Sequence, residues 1–150
     1  MLAMLQLYHA EILAALDEMD ILTAQQQPAI LRLPAVRLKL TQASRKRTTL
    51  LDLAYPTLMS RATSSERAKL KALQMQGAAG LSNSSQHIRT WTVHEVSARW
   101  FDYRKASNKM RSAMRLRVRE EASLIYPMLG EESGSTHLHA TDRPSIRIGS

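Results

Sequence analysis

Apolar residues recur at three- and four-residue intervals along most of the chain, the spacing of helices that bury one face. Leu2, Leu5, His9, Ile12, Leu16 and Met19 form an unbroken stripe that predicts a first helix over about 2–22, with the acidic residues on its other faces. Thr23 to Pro28 ends it, and a connector leads to Pro34, a good first-turn residue for the next helix. Val36, Leu40, Ala43, Leu50 and Ala54 predict a second helix from about 34 to 56 or slightly past it. The short loop at 60–65 supplies a serine N-cap and places Glu66 in the first turn of a third helix, where a carboxylate complements the helix dipole. A loop that short makes the second and third helices antiparallel neighbours. Leu70, Leu73, Gly77, Leu81, Ser84, Ile88 and Trp91 keep the helical period and predict one continuous third helix to about Thr92. A break near Gly80 is the alternative, because Gly77, Gly80 and the run at 82–85 are poor helix formers. Residues 92–97 then turn the corner into a fourth helix that should run to Pro127, with Trp100, Phe101 and Tyr103 near its start. Beyond it, the polar and aperiodic stretch 130–150 reads as a disordered C-terminal tail.

One short pattern occurs twice. Leu53-Ala54-Tyr55-Pro56-Thr57-Leu58 returns as Leu124-Ile125-Tyr126-Pro127-Met128-Leu129. Proline cannot donate its N–H and crowds the preceding turn, so both copies are expected to mark helix exits. Charges interrupt the stripe that leads to each copy. Arg117 and Glu121 lie on one face with Met110, Met114, Leu124 and Met128, and Lys46 and Arg47 fall where the second helix should be apolar. The four stripes together predict an all-α, up-down-up-down antiparallel four-helix bundle over 1–129. Its midplane would bring together His9, Lys46 or Arg47, Arg117 and Glu121, opposite the small residues 77–84 of the third helix.

Composition sharpens this picture in two respects. The chain has 150 residues and no cysteine, which suits one domain of cytoplasmic type without disulfides or thiolate metal sites. Its first residues are apolar but lack a basic leader and carry acidic groups early, so neither a signal peptide nor a membrane span is expected. The net charge is +8 and unevenly spread: 1–22 contain no Lys or Arg, while 32–119 hold 19 of the 21 basic residues. A basic surface is expected from Arg37 and Arg45 on the second helix and from Arg104, Lys105, Lys109, Arg111, Arg115 and Arg119 on the fourth. Such a surface suits non-specific phosphate contact, but no nucleic-acid-binding motif accompanies it. His87 and His94 read as a surface pair, since no third ligand converges on them. His137, His139 and Asp142 in the tail have no preformed geometry for a metal. No Gly-rich phosphate loop or nucleophile motif is present, and Glu120 and Glu121 point to different helix faces.

The layout over 1–129 resembles the hemerythrin-like, or HHE cation-binding, bundles. His9-Ala10-Glu11-Ile12-Leu13 is similar to the family's first ligand segment, and the Tyr55-Pro56 and Tyr126-Pro127 exits match those of its second and fourth helices. The resemblance implies a histidine ten residues before each such proline and a carboxylate four residues after each histidine. Those positions hold Lys46 and Leu50 on the second helix and Arg117 and Glu121 on the fourth, and no histidines occupy the region of Gly77 to Leu81 on the third. Only His9 and Glu121 survive as vestigial ligand positions, so no metal and no cofactor is expected. In place of iron, Arg117 and Lys46 would hydrogen-bond Glu121 and His9 in a buried polar network, with the small residues of the third helix leaving room for them. The alternative is that both cations reach outward along their aliphatic stems. The resulting expectation is a non-enzymatic regulatory or protein-interaction module with an unidentified protein partner. An iron-binding oxygen- or NO-sensing or storage protein with a non-standard site, and non-specific nucleic-acid binding, are the alternatives.

Overall fold

In the computed structural model the described residues are 1–130, and no strand occurs among them. The order is α1 (Leu2–Thr23), α2 (Arg32–Arg61), α3 (Ser64–Thr90), α4 (Val93–Ala98) and α5 (Trp100–Gly149), the last followed here as far as Gly130. The tail expected over 130–150 lies, beyond Gly130, outside the described residues.

Local chemistry accounts for most of the boundaries. Thr63, rather than a serine, caps α3: its hydroxyl accepts from Glu66 N while the Glu66 carboxylate accepts from Thr63 N at 2.9 Å, a reciprocal capping box. Thr92 caps α4 in the same way through Glu95 N, so the corner expected at 92–97 contains a helical turn of its own. Helix α3 is continuous through its glycines and serines.

The helix exits expected at the two prolines are corrected. Pro56 lies inside α2, which runs on to Arg61, and Pro127 lies inside α5. Pro56 leaves the Asp52 carbonyl without its helical partner on an exposed face of α2, since Asp52 and Pro56 are both exposed, while Ala54, Tyr55 and Leu58 around them are buried. Apolar burial of about 1.5–3 kcal/mol per large side chain offsets the roughly 3 kcal/mol that an interior proline costs a helix.

Two apolar clusters fill the interior. One contains Ile12, Leu16 and Met19 of α1, Leu33, Val36, Leu40 and Ala43 of α2, Trp91, Val96 of α4, and Tyr103 and Val118 of α5. The other contains Leu5 of α1, Leu50, Leu51, Ala54, Tyr55 and Leu58 of α2, Leu70 and Leu73 of α3, and Ile125 and Leu129 of α5. Helices α1 and α3 thus run from the second cluster toward the first, and α2 and α5 in the opposite sense. The broadest contact is α1 on α2, with α5 lying against both α1 and α3.

Candidate functional site

On three helices the step from one cluster to the other passes through a buried polar residue. His9 stands one turn from Leu5 and Ile12, Arg47 from Ala43 and Leu50, and Glu121 from Val118 and Ile125. All three are buried, Glu121 completely. The charged layer is therefore a continuation of the core stripes, held at one level by the same helix packing that buries their apolar neighbours.

Glu121 is the centre of the layer. His9 Nε2 donates to its Oε1 at 2.7 Å, and Arg117 Nε, one turn earlier on α5, donates to its Oε2 at 3.1 Å. Because a carboxylate only accepts, Nε2 carries the imidazole proton, and in the neutral ring Nδ1 is left to accept from the Tyr126 hydroxyl at 2.5 Å. Arg47 Nε stands 3.9 Å from Glu121 Oε1, an ion pair without a hydrogen bond, and Arg47 Nε and Nη1 have no hydrogen-bond partner among the described residues. Burial by itself would raise the Glu121 pKa, but the His9 hydrogen bond and the charges of Arg47 and Arg117 outweigh it and hold the carboxyl below the usual range. Burial lowers Arg47 from its ordinary value, with the Glu121 charge opposing. Tyr55 is pushed up to about 12 by burial and then by the Glu121 charge. The tyrosines of both repeated motifs thus adjoin the charged layer.

The α3 side of the layer is shaped by absence of side chain. A methyl group on Gly77 would lie 2.7 Å from Arg117 Nη2, and one on Gly80 would lie 2.5 Å from Nη1. The two glycines form a notch that receives the guanidinium. This close approach, rather than any unusual backbone angle, is what favours glycine there: a Cβ would make the guanidinium tip shift, and no described glycine has a positive φ. A double-mutant cycle measures the fit. Gly80→Ala should stabilise an Arg117→Ala background by about 0.5–1 kcal/mol through helix propensity, and should lose that gain or reverse it when Arg117 is present. Equal effects of Gly80→Ala in the two backgrounds, in urea unfolding, would show that the notch does not hold the guanidinium.

Several expected placements are corrected. Lys46 is outside the layer: its ammonium is exposed, 3.7 Å from Glu11 and 5.9 Å from the Tyr8 ring centroid. Arg47 takes the inward position, because the stripe Val36, Leu40, Ala43, Leu50, Ala54 passes through 47 and not 46. Leu50 belongs to the apolar core. Within the expected basic surface, Arg111 is buried, pairing with Asp20 Oδ1 at 2.8 Å and donating to Ser107 Oγ at 2.5 Å. Arg115 bridges Asp17 at 2.9 Å and Asp20 at 2.5 Å. Arg37 is half-buried over the Tyr103 ring, whereas Arg45, Lys105, Lys109 and Arg119 are exposed and Arg104 is partly exposed. On α3, Leu81 and Ile88 face outward and Gly80 and His87 inward, one position away from the stripe read in the sequence. His87 is no surface partner of His94. Its ring lies 5.9 Å from Tyr103, and burial first, then the charge of Arg37, lowers it to about 4.

His9 and Glu121 have no third or fourth metal ligand beside them, and no group of three or more His, Cys, Asp or Glu side chains able to hold a metal ion occurs among the described residues. No helix among them is long and apolar enough to cross a membrane. No family model, curated protein or solved structure matches the chain.

Proposed function

We propose that this chain is a hemerythrin-like, up-down-up-down four-helix bundle in which an ion-pair layer stands where the family holds metal, and that it acts as a non-enzymatic regulatory or protein-interaction module. The observation that carries the reading is the Arg117 guanidinium, seated between Glu121 and the Gly77–Gly80 notch. The two vestigial ligands, His9 and Glu121, are spent on each other. A closed metal site needs at least two more protein donors than that pair supplies. The alternating cluster order of the long helices supports the bundle topology.

Non-specific nucleic-acid binding is the weaker reading. Arg111 and Arg115 are committed to Asp17 and Asp20, which removes two cations from the face that would contact phosphate. Elemental analysis and a visible spectrum of purified protein test the proposal together. The expected result is no stoichiometric iron after dialysis and no charge-transfer band. Iron retained in stoichiometric amount with such a band would overturn the proposal and restore the iron-binding oxygen- or NO-sensing alternative.

A further inference from the structure

Arg47 is a buried cation whose hydrogen-bonding groups the described residues do not satisfy. Its side chain is 5% exposed, Nε has only the long ion pair with Glu121 Oε1 at 3.9 Å, and Nη1 has no hydrogen-bond partner among those residues. Ser44, one turn earlier on α2, likewise has a buried hydroxyl without a partner. A buried donor costs free energy unless something accepts from it. Unsatisfied N–H and O–H groups on neighbouring turns of one helix point to a common acceptor.

The facing helix leaves room for one. Leu51 and Leu58 of α2 share a cluster with Leu70 and Leu73 of α3, and farther along Arg37 of α2 acts on His87 of α3. With equal rise on two antiparallel helices, Ser44 and Arg47 come opposite Gly80 and Gly77, where α3 projects no side chain. The Arg117 guanidinium reaches the same notch from α5, close enough to Arg47 for the two charges to act on one another.

Charge sets the chemistry of the acceptor. Arg47 and Arg117 bring two positive charges to the layer and Glu121 one negative charge. His9 is neutral in the form that accepts from Tyr126, and Tyr55, pushed up to about 12, is neutral as well. Among the described residues the layer therefore has one positive charge in excess, and an unbalanced buried charge costs far more than an unpaired dipole. Water would accept a hydrogen bond without supplying the missing charge, and a divalent anion would overshoot it. We propose that the layer binds one small monovalent anion of the chloride class, accepting from Arg47 Nη1 and Ser44 Oγ and lying beside Arg117 at the glycine notch. Arg117, 15% exposed, gives the anion its way in from solvent. Once bound, the anion bridges the two guanidinium groups, removes their repulsion and ties α2 to α5 across the notch.

Thermal unfolding of the full chain, with chloride replacing gluconate at constant ionic strength, tests it. The wild-type melting temperature should rise by about 5 °C or more and then level off, as linkage requires of a saturable site offered by the folded state alone. Arg47→Met, which removes the excess charge at similar volume, should show no saturable rise. Should that variant fail to fold, bromide-soaked crystals of the wild type answer alone, with an anomalous peak expected within hydrogen-bond reach of Arg47 Nη1. A flat chloride response in the wild type, the same saturable rise in Arg47→Met, or bromide-soaked crystals with water and no anomalous peak at the layer would each overturn the proposal. The anion site rests on the reading of the layer as ion-paired in place of metal. Stoichiometric iron in the same samples would overturn that reading, whereas iron-free protein indifferent to chloride would overturn the anion site alone.

Discussion

Glu121→Gln is expected to cost about 3–5 kcal/mol in urea unfolding, a large fraction of the roughly 5–15 kcal/mol that stabilises a domain. The glutamine amide still offers His9 an acceptor, so the loss comes from stranded charge. Arg117 is partly accessible and can turn toward water, but Arg47 is buried with Glu121 as the carboxylate it pairs with. Glu18→Gln, which breaks the exposed pair with Arg32, should cost no more than about 1 kcal/mol. Acidity gives the same residue a second signature. The folded-state pKa of Glu121 is depressed, so its stabilisation is fully present above the ordinary glutamate value near 4.3 and is lost as pH falls through the lower folded value. Glu121→Gln should lack this part of the acid-side decline. Equal unfolding midpoints for the Glu121 and Glu18 variants would show the layer to be energetically ordinary.

Tyr103→Ala is expected to be comparably severe, at about 3–5 kcal/mol, for a different reason. Tyr103 is fully buried at the α5 start, with Trp91 edge-on at 5.5 Å, Trp100 stacked at 5.8 Å and the Arg37 guanidinium 5.8 Å over its face. Trp100 in turn donates Nε1–H to Gln25 O at 3.1 Å, so this cluster ties the α1–α2 connector to α5. Removing the ring leaves a cavity that several elements cannot fill together. Tyr103→Phe should cost less than about 1 kcal/mol, because the buried hydroxyl has no well-formed hydrogen bond among the described residues and only approaches the Ser107 side chain. Near-ultraviolet circular dichroism and urea titration of the two variants check this. A large loss in Tyr103→Phe would mean that the hydroxyl, not the ring, holds the cluster.

The helical class is legible in the sequence because the three-and-four spacing survives along nearly the whole chain. The continuity of α3 across Gly77 and Gly80 is legible for the same reason. Counting back from the proline motifs gives a different register from that of the apolar stripes. Ten residues back from Pro56 is Lys46, but the heptad through Val36, Leu40, Ala43, Leu50 and Ala54 has its vacancy at 47, and the structure puts Arg47 there. On α5 the buried line runs through Ser107, Arg111, Val118, Glu121 and Ile125. Polar Ser107 and Arg111 hide it, and the neighbouring methionines, only partly buried, imitate it. Tyr126 illustrates the limit of pattern reading. Its role as a His9 partner depends on how α1 and α5 meet, which residue spacing on one helix does not contain. The proline exits fail because the cost of one missing hydrogen bond is small beside the burial of the residues around it.

If ion pairs rather than a metal close the middle of the fold, as proposed, the protein should melt at the same temperature in chelator and in excess ferrous iron. Ligand binding to the folded state alone raises stability with ligand concentration, so a metal-closed core must melt higher with iron than with chelator. One melting temperature in both conditions is the result expected of the wild-type chain. A melting temperature that rises with iron and returns to its lower value on chelation would contradict it.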